Sequence, residues 1–269
     1  MHKINFDALN LDFLTHNNNQ HIIIEKEGID FHFKIALKVG SDKLVVFSNG
    51  AVNPSKKKPP IFMRSNWSEE MEYNALFIDD RTIHGNNLRL GWGVGTNERH
   101  FLIDYSEIVK KIISLIDIND SNTFYYGSSA GGFMSLVLAT MHDKTIAIVN
   151  NPQTYVYKYY ESAYKAMYKK VFPDMSDVEI HKTYSDRLSI TSILKKHRRT
   201  PKTYYFQNRL CKTDMENHVT PFMKNLDKYN IKSEPIHFIL YNDKDSGHNP
   251  LSKEKTLKYI DMIVNREFI

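Results

Sequence analysis

Two adjacent serines, Ser128 and Ser129, lie inside the stretch FYYGSSAGGFMSLVLA, which runs from residue 124 to residue 139. A serine hydroxyl can attack an acyl carbonyl and form a covalent acyl-serine when a neighbouring base accepts its proton. The pattern G-x-S-x-G between a strand and a helix is typical of a nucleophile that a sharp turn presents to substrate. The stretch therefore predicts acyl chemistry, with a Gly-rich connecting turn as the alternative.

Steric size indicates which serine would react. In such a turn the residues two before and two after the nucleophile lie against each other, so both must be small. For Ser129 these residues are Gly127 and Gly131, whereas for Ser128 the earlier one is Tyr126, whose side chain would clash. We predict Ser129 as the nucleophile.

The base and the acid are expected later in the chain, on loops that follow later strands. His248 lies in YNDKDSGHNP, between the last predicted strand and the last predicted helix. Asp214 lies a few residues beyond the preceding strand, where a carboxylate could orient the imidazole and stabilise the imidazolium. We predict Asp214 as the acid, with Asp243 and Asp245 as rivals and Glu216 as a weaker one.

Two backbone N–H groups are needed to stabilise the oxyanion of an acyl-transfer intermediate. One is predicted at Ala130, directly after the nucleophile. The other is predicted at Gly50 or Ala51, in the turn of FSNGAVN after the third strand of the fold core. The chain has no H-G-G-G stretch there, and Asn49-Gly50 could equally be an ordinary tight turn.

The elements that must position these residues alternate between strands and helices, which predicts a mostly parallel sheet covered by helices on both faces. We predict an α/β fold in a single domain over residues 1–269. Residues 152–200 contain no strand pattern, are rich in Tyr, Lys and Met, and are predicted to form a helical cap. Asp104 is a candidate N-cap for a helix over residues 104–118.

Composition narrows the class of protein. The chain has 269 residues, a formal net charge of +5 and one cysteine, so it has no internal disulfide or cysteine-rich metal site. No apolar leader or membrane-length apolar run is visible, and we expect a cytoplasmic protein without a metal. There is no Walker A pattern or dinucleotide fingerprint, and the basic clusters carry no nucleic-acid motif.

At this point the chain resembles the α/β-hydrolase superfamily, through the order and spacing of Ser129, Asp214 and His248. More narrowly, it resembles bacterial capsule polysaccharide O-acetyltransferases of this type and the acetyltransferase of accessory secretion systems. The similar pieces are VVFSNGA, RSNW, GSSAGGFMSLVLA, NNPQT, YFQNRLCKTDMENH and DSGHNP.

The resemblance implies acetyl transfer from acetyl-CoA to a hydroxyl of a bacterial polysaccharide, through an acetylated Ser129 and without a permanently bound cofactor. Lysines would suit CoA phosphates or an anionic polymer. Arg64, Trp67, Trp92 and His218 are candidate substrate contacts, although the tryptophans could be core residues and His218 a surface residue. A homo-oligomer is left open.

Hydrolases and transferases share every catalytic part of this site. An esterase with the same three residues is therefore the main alternative, and a peptidase is a more distant one. A non-catalytic protein that binds a glycan or a secretion partner belongs to another class, and the complete Ser, His and Asp set argues against it.

Overall fold

The computed structural model describes residues 2–268. Their strands form one sheet of nine strands. The strands are β1 (His2–Asn5), β2 (His21–Lys26), β3 (Ile29–Ala36), β4 (Leu44–Phe47), β5 (Asn74–Ile78), β6 (Thr123–Ser128), β7 (Ile146–Asn150), β8 (Lys202–Asn208) and β9 (Ile236–Tyr241). Their spatial order is β1-β2-β3-β5-β4-β6-β7-β8-β9. β3 is antiparallel to both neighbours, and the run from β5 to β9 is parallel throughout.

The helices are α1 (Leu11–His16), α2 (Phe101–Leu115), α3 (Ala130–Met141), α4 (Glu161–Val171), α5 (Asp177–Thr183), α6 (Ser185–Leu188), α7 (Ile190–His197), α8 (Lys212–Asp214), α9 (Thr220–Lys228) and α10 (Lys253–Val264). A π-helical turn at Met215–Val219 joins α8 to α9. No helix within residues 2–268 is both long and apolar enough to cross a membrane.

Alternation along the central strands divides the core between the two faces of the sheet. Val46 and Tyr125 point into the larger cluster, which α2, α3, α7 and α9 cover. Phe47 and Tyr126 point into the smaller cluster, which α10 covers on the opposite face. The predicted mostly parallel sheet with helices on both faces is confirmed, and β1 and α1 are additional elements that the pattern did not reveal.

The start of α2 differs from the prediction. The helix begins at Phe101 after His100, so Asp104 lies inside its first turn and is not its N-cap. The Asp104 carboxylate is buried and accepts hydrogen bonds from Arg99 Nε, Arg99 Nη2 and Lys26 Nζ at 2.7 to 3.0 Å. Asp104 therefore forms a buried ion pair that joins α2 to β2. It lies at the N-terminal end of α2, where the helix dipole favours negative charge.

Residues 152–200 contain four α-helices, a short 3₁₀ helix at Val156–Lys158 and an isolated β-bridge between Tyr155 and Ser189. Their last helix, α7, packs against α3 and α9 and so belongs to the layer that covers the sheet. The helical cap over residues 152–200 stays a prediction.

Candidate active site

The turn after β6 holds Ser129 in a conformation that few non-glycine residues adopt. Its φ is 55° and its ψ is −124°, and it directly precedes the first residue of α3. A side chain at Gly127 would place its Cβ 2.2 Å from the Gly131 carbonyl oxygen, so no larger residue fits there. A Cβ at Gly131 would lie 2.6 Å from the Ser48 carbonyl oxygen. These close approaches are the physical reason for the two glycines, and the positive φ of Ser129 shows that the turn is strained.

Ser129, His248 and Asp214 form one hydrogen-bonded chain. Ser129 Oγ lies 2.8 Å from His248 Nε2, and His248 Nδ1 lies 2.8 Å from each carboxylate oxygen of Asp214. The Asp214 side chain is buried, whereas the His248 side chain is 28% exposed. Such a chain can move a proton from the hydroxyl to the imidazole while the carboxylate holds the ring orientation.

The rival acids lie elsewhere. Asp243 Oδ1 accepts hydrogen bonds from the backbone N–H groups of Asp245 and Ser246, so this carboxylate closes a turn of the loop. Asp245 is exposed, and Glu216 is exposed and pairs with Lys212 at 3.7 Å. Within residues 2–268 only Asp214 forms a carboxylate hydrogen bond with His248.

Buried asparagines fasten the loop that carries His248. The Asn151 side-chain amide donates to the carbonyl oxygens of His248 and Asn249 at 3.1 and 2.9 Å. The Asn208 amide donates to the Asp243 and Gly247 carbonyl oxygens at 2.7 and 2.9 Å, and Asn150 Oδ1 accepts from Leu251 N–H at 2.7 Å. The ends of β7 and β8 thus determine where the imidazole lies.

The two predicted oxyanion positions can be compared by whether their backbone N–H groups form a hydrogen bond with any residue in the range 2–268, and at two residues they do not. These residues are Ala130, the first residue of α3, and Ala51. The N–H of Gly50 instead faces Met63 Sδ at 3.3 Å. Gly50 still lies beside the turn, because a Cβ added to it would be 3.5 Å from the Ser128 carbonyl oxygen. Of the two residues predicted for the second oxyanion donor, Ala51 therefore has the free N–H.

The four predicted substrate contacts lie in different surroundings. Arg64 Nη2 donates to Ser128 Oγ at 2.6 Å, and the guanidinium lies over the rings of Trp67 and Tyr126, each 5.4 Å away. Trp92 is fully buried, so substrate cannot touch it in this conformation. Its indole N–H donates to Gln153 Oε1.

His218 is also buried and is not a surface residue. Its Nδ1 accepts a hydrogen bond from the Thr154 N–H at 3.3 Å, so Nε2 carries the proton of the neutral ring. Burial lowers the pKa of His218 to about 4, which keeps it neutral at physiological pH. It lines a cavity of about 170 Å³ together with Tyr159, Asp214 and His248.

Larger cavities adjoin the site on its Ala51 side. One of about 430 Å³ lies between Ala51, residues 87–90 and α4, and another of about 780 Å³ runs from Ala51 to Arg64. A third of about 470 Å³ shares Lys57 and Lys58 with the second and is also lined by Lys170. This side can therefore accommodate an extended molecule with negative charge.

One group of potential metal ligands comes together within residues 2–268, formed by Cys211, Asp214 and His248, whose ligand atoms lie within 4.8 Å of one another. His248 Nδ1 and both Asp214 oxygens are already hydrogen-bonded to each other. Burial raises the pKa of the Cys211 thiol, which disfavours the thiolate that would bind a metal. The group fits the Ser129 hydrogen-bond chain better than a metal.

Sequence reasoning missed Gln153, Asn151 and Asn208. A signal was present, because amide pairs stand at the ends of two buried strands, Asn150-Asn151 at the end of β7 and Gln207-Asn208 at the end of β8. Buried amides need hydrogen-bond partners, and at the carboxyl edge of a parallel sheet those partners are functional loops.

No protein-family model and no curated protein sequence matches the chain. Solved structures do match. The capsule O-acetyltransferase of Neisseria meningitidis serogroup A is 15% identical, covers 89% of this chain and 95% of its own, and superposes with a TM-score of 0.63. The same enzyme has been solved in complex with CoA.

Acetyl xylan esterase 1 from Thermoanaerobacterium sp. is 14% identical over 89% of this chain and 80% of its own, with a TM-score of 0.60. Dipeptidyl peptidase 4 of Porphyromonas gingivalis is 11% identical over 94% of this chain but only 35% of its own, with a TM-score of 0.63. At these identities the likeness shows the fold. The chain has the α/β-hydrolase fold, as the sequence resemblance predicted, and its structural neighbours transfer acyl groups or hydrolyse ester and peptide bonds.

Proposed function

We propose that the protein is a serine-dependent O-acetyltransferase that moves an acetyl group from acetyl-CoA to a hydroxyl of a bacterial surface polysaccharide. The observation that carries the proposal is the hydrogen-bonded chain Ser129–His248–Asp214 on the strained turn after β6. Similarity to a capsule O-acetyltransferase over nearly the whole of both chains supports the transferase over the other acyl chemistries.

In the first half-reaction Ser129 Oγ attacks the thioester carbonyl while His248 Nε2 accepts the hydroxyl proton. The new C–O bond turns the carbonyl oxygen into an oxyanion, which the N–H groups of Ala130 and Ala51 stabilise. The carbonyl re-forms as the C–S bond breaks, and His248 gives its proton to the departing CoA sulfur. Asp214 stabilises the imidazolium throughout without being protonated.

In the second half-reaction His248 accepts the proton of a sugar hydroxyl, whose oxygen attacks the acetyl-serine. The same two N–H groups stabilise the second oxyanion. The C–Oγ bond then breaks, and the imidazolium returns a proton to Ser129. If water takes the place of the sugar hydroxyl, the same steps hydrolyse the donor.

The cavities on the Ala51 side support the choice of donor. CoA carries several phosphates, and Lys57, Lys58 and Lys170 line one cavity there. Tyr159 and Tyr160, just before α4, line both the cavity beside Ala51 and the smaller cavity beside His248. Tyr159 lies 6.0 Å from the His248 ring, and the neighbouring Tyr160 is 61% exposed, which suits stacking on a sugar.

An esterase is the second candidate, because an acetyl xylan esterase superposes nearly as well and the His248 imidazole is open to solvent. A direct experiment separates the two. Labelled acetyl-CoA is incubated with the protein, with and without a bacterial polysaccharide, and label is followed on Ser129, on the glycan and in free acetate.

The transferase proposal expects label on Ser129 and then on sugar. Ser128→Ala is the matched control because it removes the adjacent hydroxyl, and it should keep turnover, whereas Ser129→Ala should abolish it. Donor hydrolysis that glycan does not change, with no label on sugar, would establish the esterase instead. No reaction with acetyl-CoA or aryl acetates, unchanged by Ser129→Ala, would indicate a non-catalytic binding protein.

A further inference from the structure

Ser129 Oγ has a second hydrogen-bond partner besides His248. Gln153 lies three residues after β7 and is fully buried. Its side-chain Nε2 lies 3.0 Å from Ser129 Oγ, and its backbone N–H donates to the Ser129 carbonyl oxygen at 3.2 Å. A hydroxyl has one proton to donate and two lone pairs that accept. Ser129 can therefore donate to His248 and accept from Gln153 at the same time.

The orientation of the Gln153 amide follows from Trp92. An indole N–H can only donate, and it meets the other end of the Gln153 side chain. That end must be the carbonyl oxygen, because the opposite orientation would place two donors against each other. The NH₂ group consequently faces Ser129.

Trp92 is itself firmly held. It is fully buried with a φ of 51°, and the next residue, Gly93, donates its N–H to Asp80 Oδ1 at 3.2 Å. A Cβ at Gly93 would lie 2.5 Å from the Leu102 side chain, so the loop packs closely on α2. The donor that faces the nucleophile is thus oriented before any substrate binds.

We propose that Gln153 is a further catalytic residue, whose side-chain N–H stabilises negative charge on Ser129 Oγ, and that Trp92 is its positioning residue. The proposal rests on the acyl-serine mechanism above. Ala130 and Ala51 serve the carbonyl oxygen of the substrate, whereas Gln153 serves the other charged oxygen, that of the nucleophile.

The charge on Oγ changes along the reaction. It is largest as the proton leaves for His248 and again as the C–Oγ bond breaks and its electron pair returns to the serine. In the acetyl-serine between these steps, Oγ is an ester oxygen and a poor acceptor. The Gln153 hydrogen bond is therefore stronger at the first barrier than with the neutral hydroxyl that precedes it, and stronger at the second barrier than with the acetyl-serine, which is the condition for it to accelerate both steps.

The test measures how fast a fluorophosphonate probe labels Ser129, because this reaction needs an activated serine but neither CoA nor a sugar. Gln153→Met keeps the side-chain length and removes the donor. Gln153→Glu keeps an oxygen for Trp92 and presents a carboxylate oxygen to Ser129. Each should lower the labelling rate about 10²- to 10³-fold, the usual effect of removing one such donor. Gln20→Glu, an exposed glutamine in the turn before β2, is the matched control and should react like the unmodified protein.

The pH profile distinguishes catalysis from mere support of the fold. Burial raises the pKa of a carboxyl group, and in the Gln153→Glu variant the introduced carboxyl group, once protonated, can donate its O–H to Oγ. The rate of Gln153→Glu relative to the unmodified protein should therefore rise as the pH falls, whereas the relative rate of Gln153→Met should stay level. Trp92→Phe should cause a loss of about tenfold through misorientation of the amide.

The outcomes separate the two proposals. If Ser129 of the unmodified protein is not labelled, the proposed function and the role of Gln153 both fail. If labelling requires Ser129 but Gln153→Met and Gln153→Glu, shown to be folded by circular dichroism, react at the unmodified rate, only the role of Gln153 is overturned. A loss in both variants without the pH-dependent recovery of Gln153→Glu would also overturn it and leave Gln153 a structural residue.

Discussion

The two sides of the site are built in different ways. On the Ser129–His248 side, buried amides and backbone groups determine every position, so that the His248 loop is tied to the ends of β7 and β8 at several points. On the Ala51 side, Lys57, Lys58 and Lys170 are exposed side chains around open cavities. For the proposed mechanism the first region needs one geometry, because proton transfer tolerates little displacement. The second needs only charge and volume, which side chains of many arrangements can supply.

The largest effect is expected where the hydrogen-bond chain is broken but the shape is kept. Asp214→Asn should lower kcat about 10⁴-fold, because an amide in place of the carboxylate no longer stabilises the imidazolium and favours the wrong tautomer. Asp243→Asn and Asp245→Asn are the matched controls and should keep most activity, since an asparagine at position 243 retains an oxygen for the two backbone donors. Steady-state kinetics with an aryl acetate measures this, and loss of activity in the controls alone would move the acid to the His248 loop.

An added methyl group in the turn after β6 should strongly lower the stability of the protein. Gly127→Ala should destabilise the protein by about 3–5 kcal/mol, because its Cβ would overlap the backbone of Gly131. Gly50→Ala adds the same methyl group where its nearest neighbour, the Ser128 carbonyl oxygen, would be 3.5 Å away. This variant should change the free energy of unfolding by no more than about 1 kcal/mol. Urea denaturation compares the two. Similar values for both variants would mean that the turn relaxes freely and is not constrained.

Removal of one tie to the His248 loop should cost less. Asn208→Ala loses donors to the Asp243 and Gly247 carbonyl oxygens and should lower kcat about 10- to 100-fold. Asn18→Ala is matched, because Asn18 makes a similar two-way contact with the Leu37 backbone far from the site. It should lower the melting temperature and leave kcat intact. Equal kcat values for the two variants would show that the loop holds His248 without the asparagine.

The smallest effect is expected on the open side. Lys57→Ala combined with Lys58→Ala should raise KM for acetyl-CoA several-fold with kcat nearly unchanged, since exposed lysines contribute modest, salt-dependent attraction to phosphates. The increase should shrink at high salt and be absent for an uncharged aryl acetate. Lys228→Ala combined with Lys232→Ala removes the same charge on another face. An equal rise in KM for that variant would indicate a general charge effect without a donor site.

The sequence by itself determined which serine the turn can present. Gly127 and Gly131 exclude Ser128 and favour Ser129 because steric overlap within five residues can be read directly from residue size. The alternation of strands and helices likewise predicted the sheet, and strand order predicted that Asp214 and His248 lie on loops after later strands. The actual start of α2 could not be read in the same way, because Asp104 looks like a cap locally but is held by Lys26, which is distant in the chain.

Only the tertiary structure decided which groups meet around the serine. Trp92 and Gln153 are 61 residues apart, and Gln153 and Ser129 are 24 apart, so their contacts exist only once the loop after β5 and the end of β7 converge. The choice of Ala51 over Gly50 depends on Met63, whose sulfur faces the Gly50 N–H. Local sterics are properties of neighbouring residues in the chain, whereas buried hydrogen bonds between distant loops depend on the topology that brings them together.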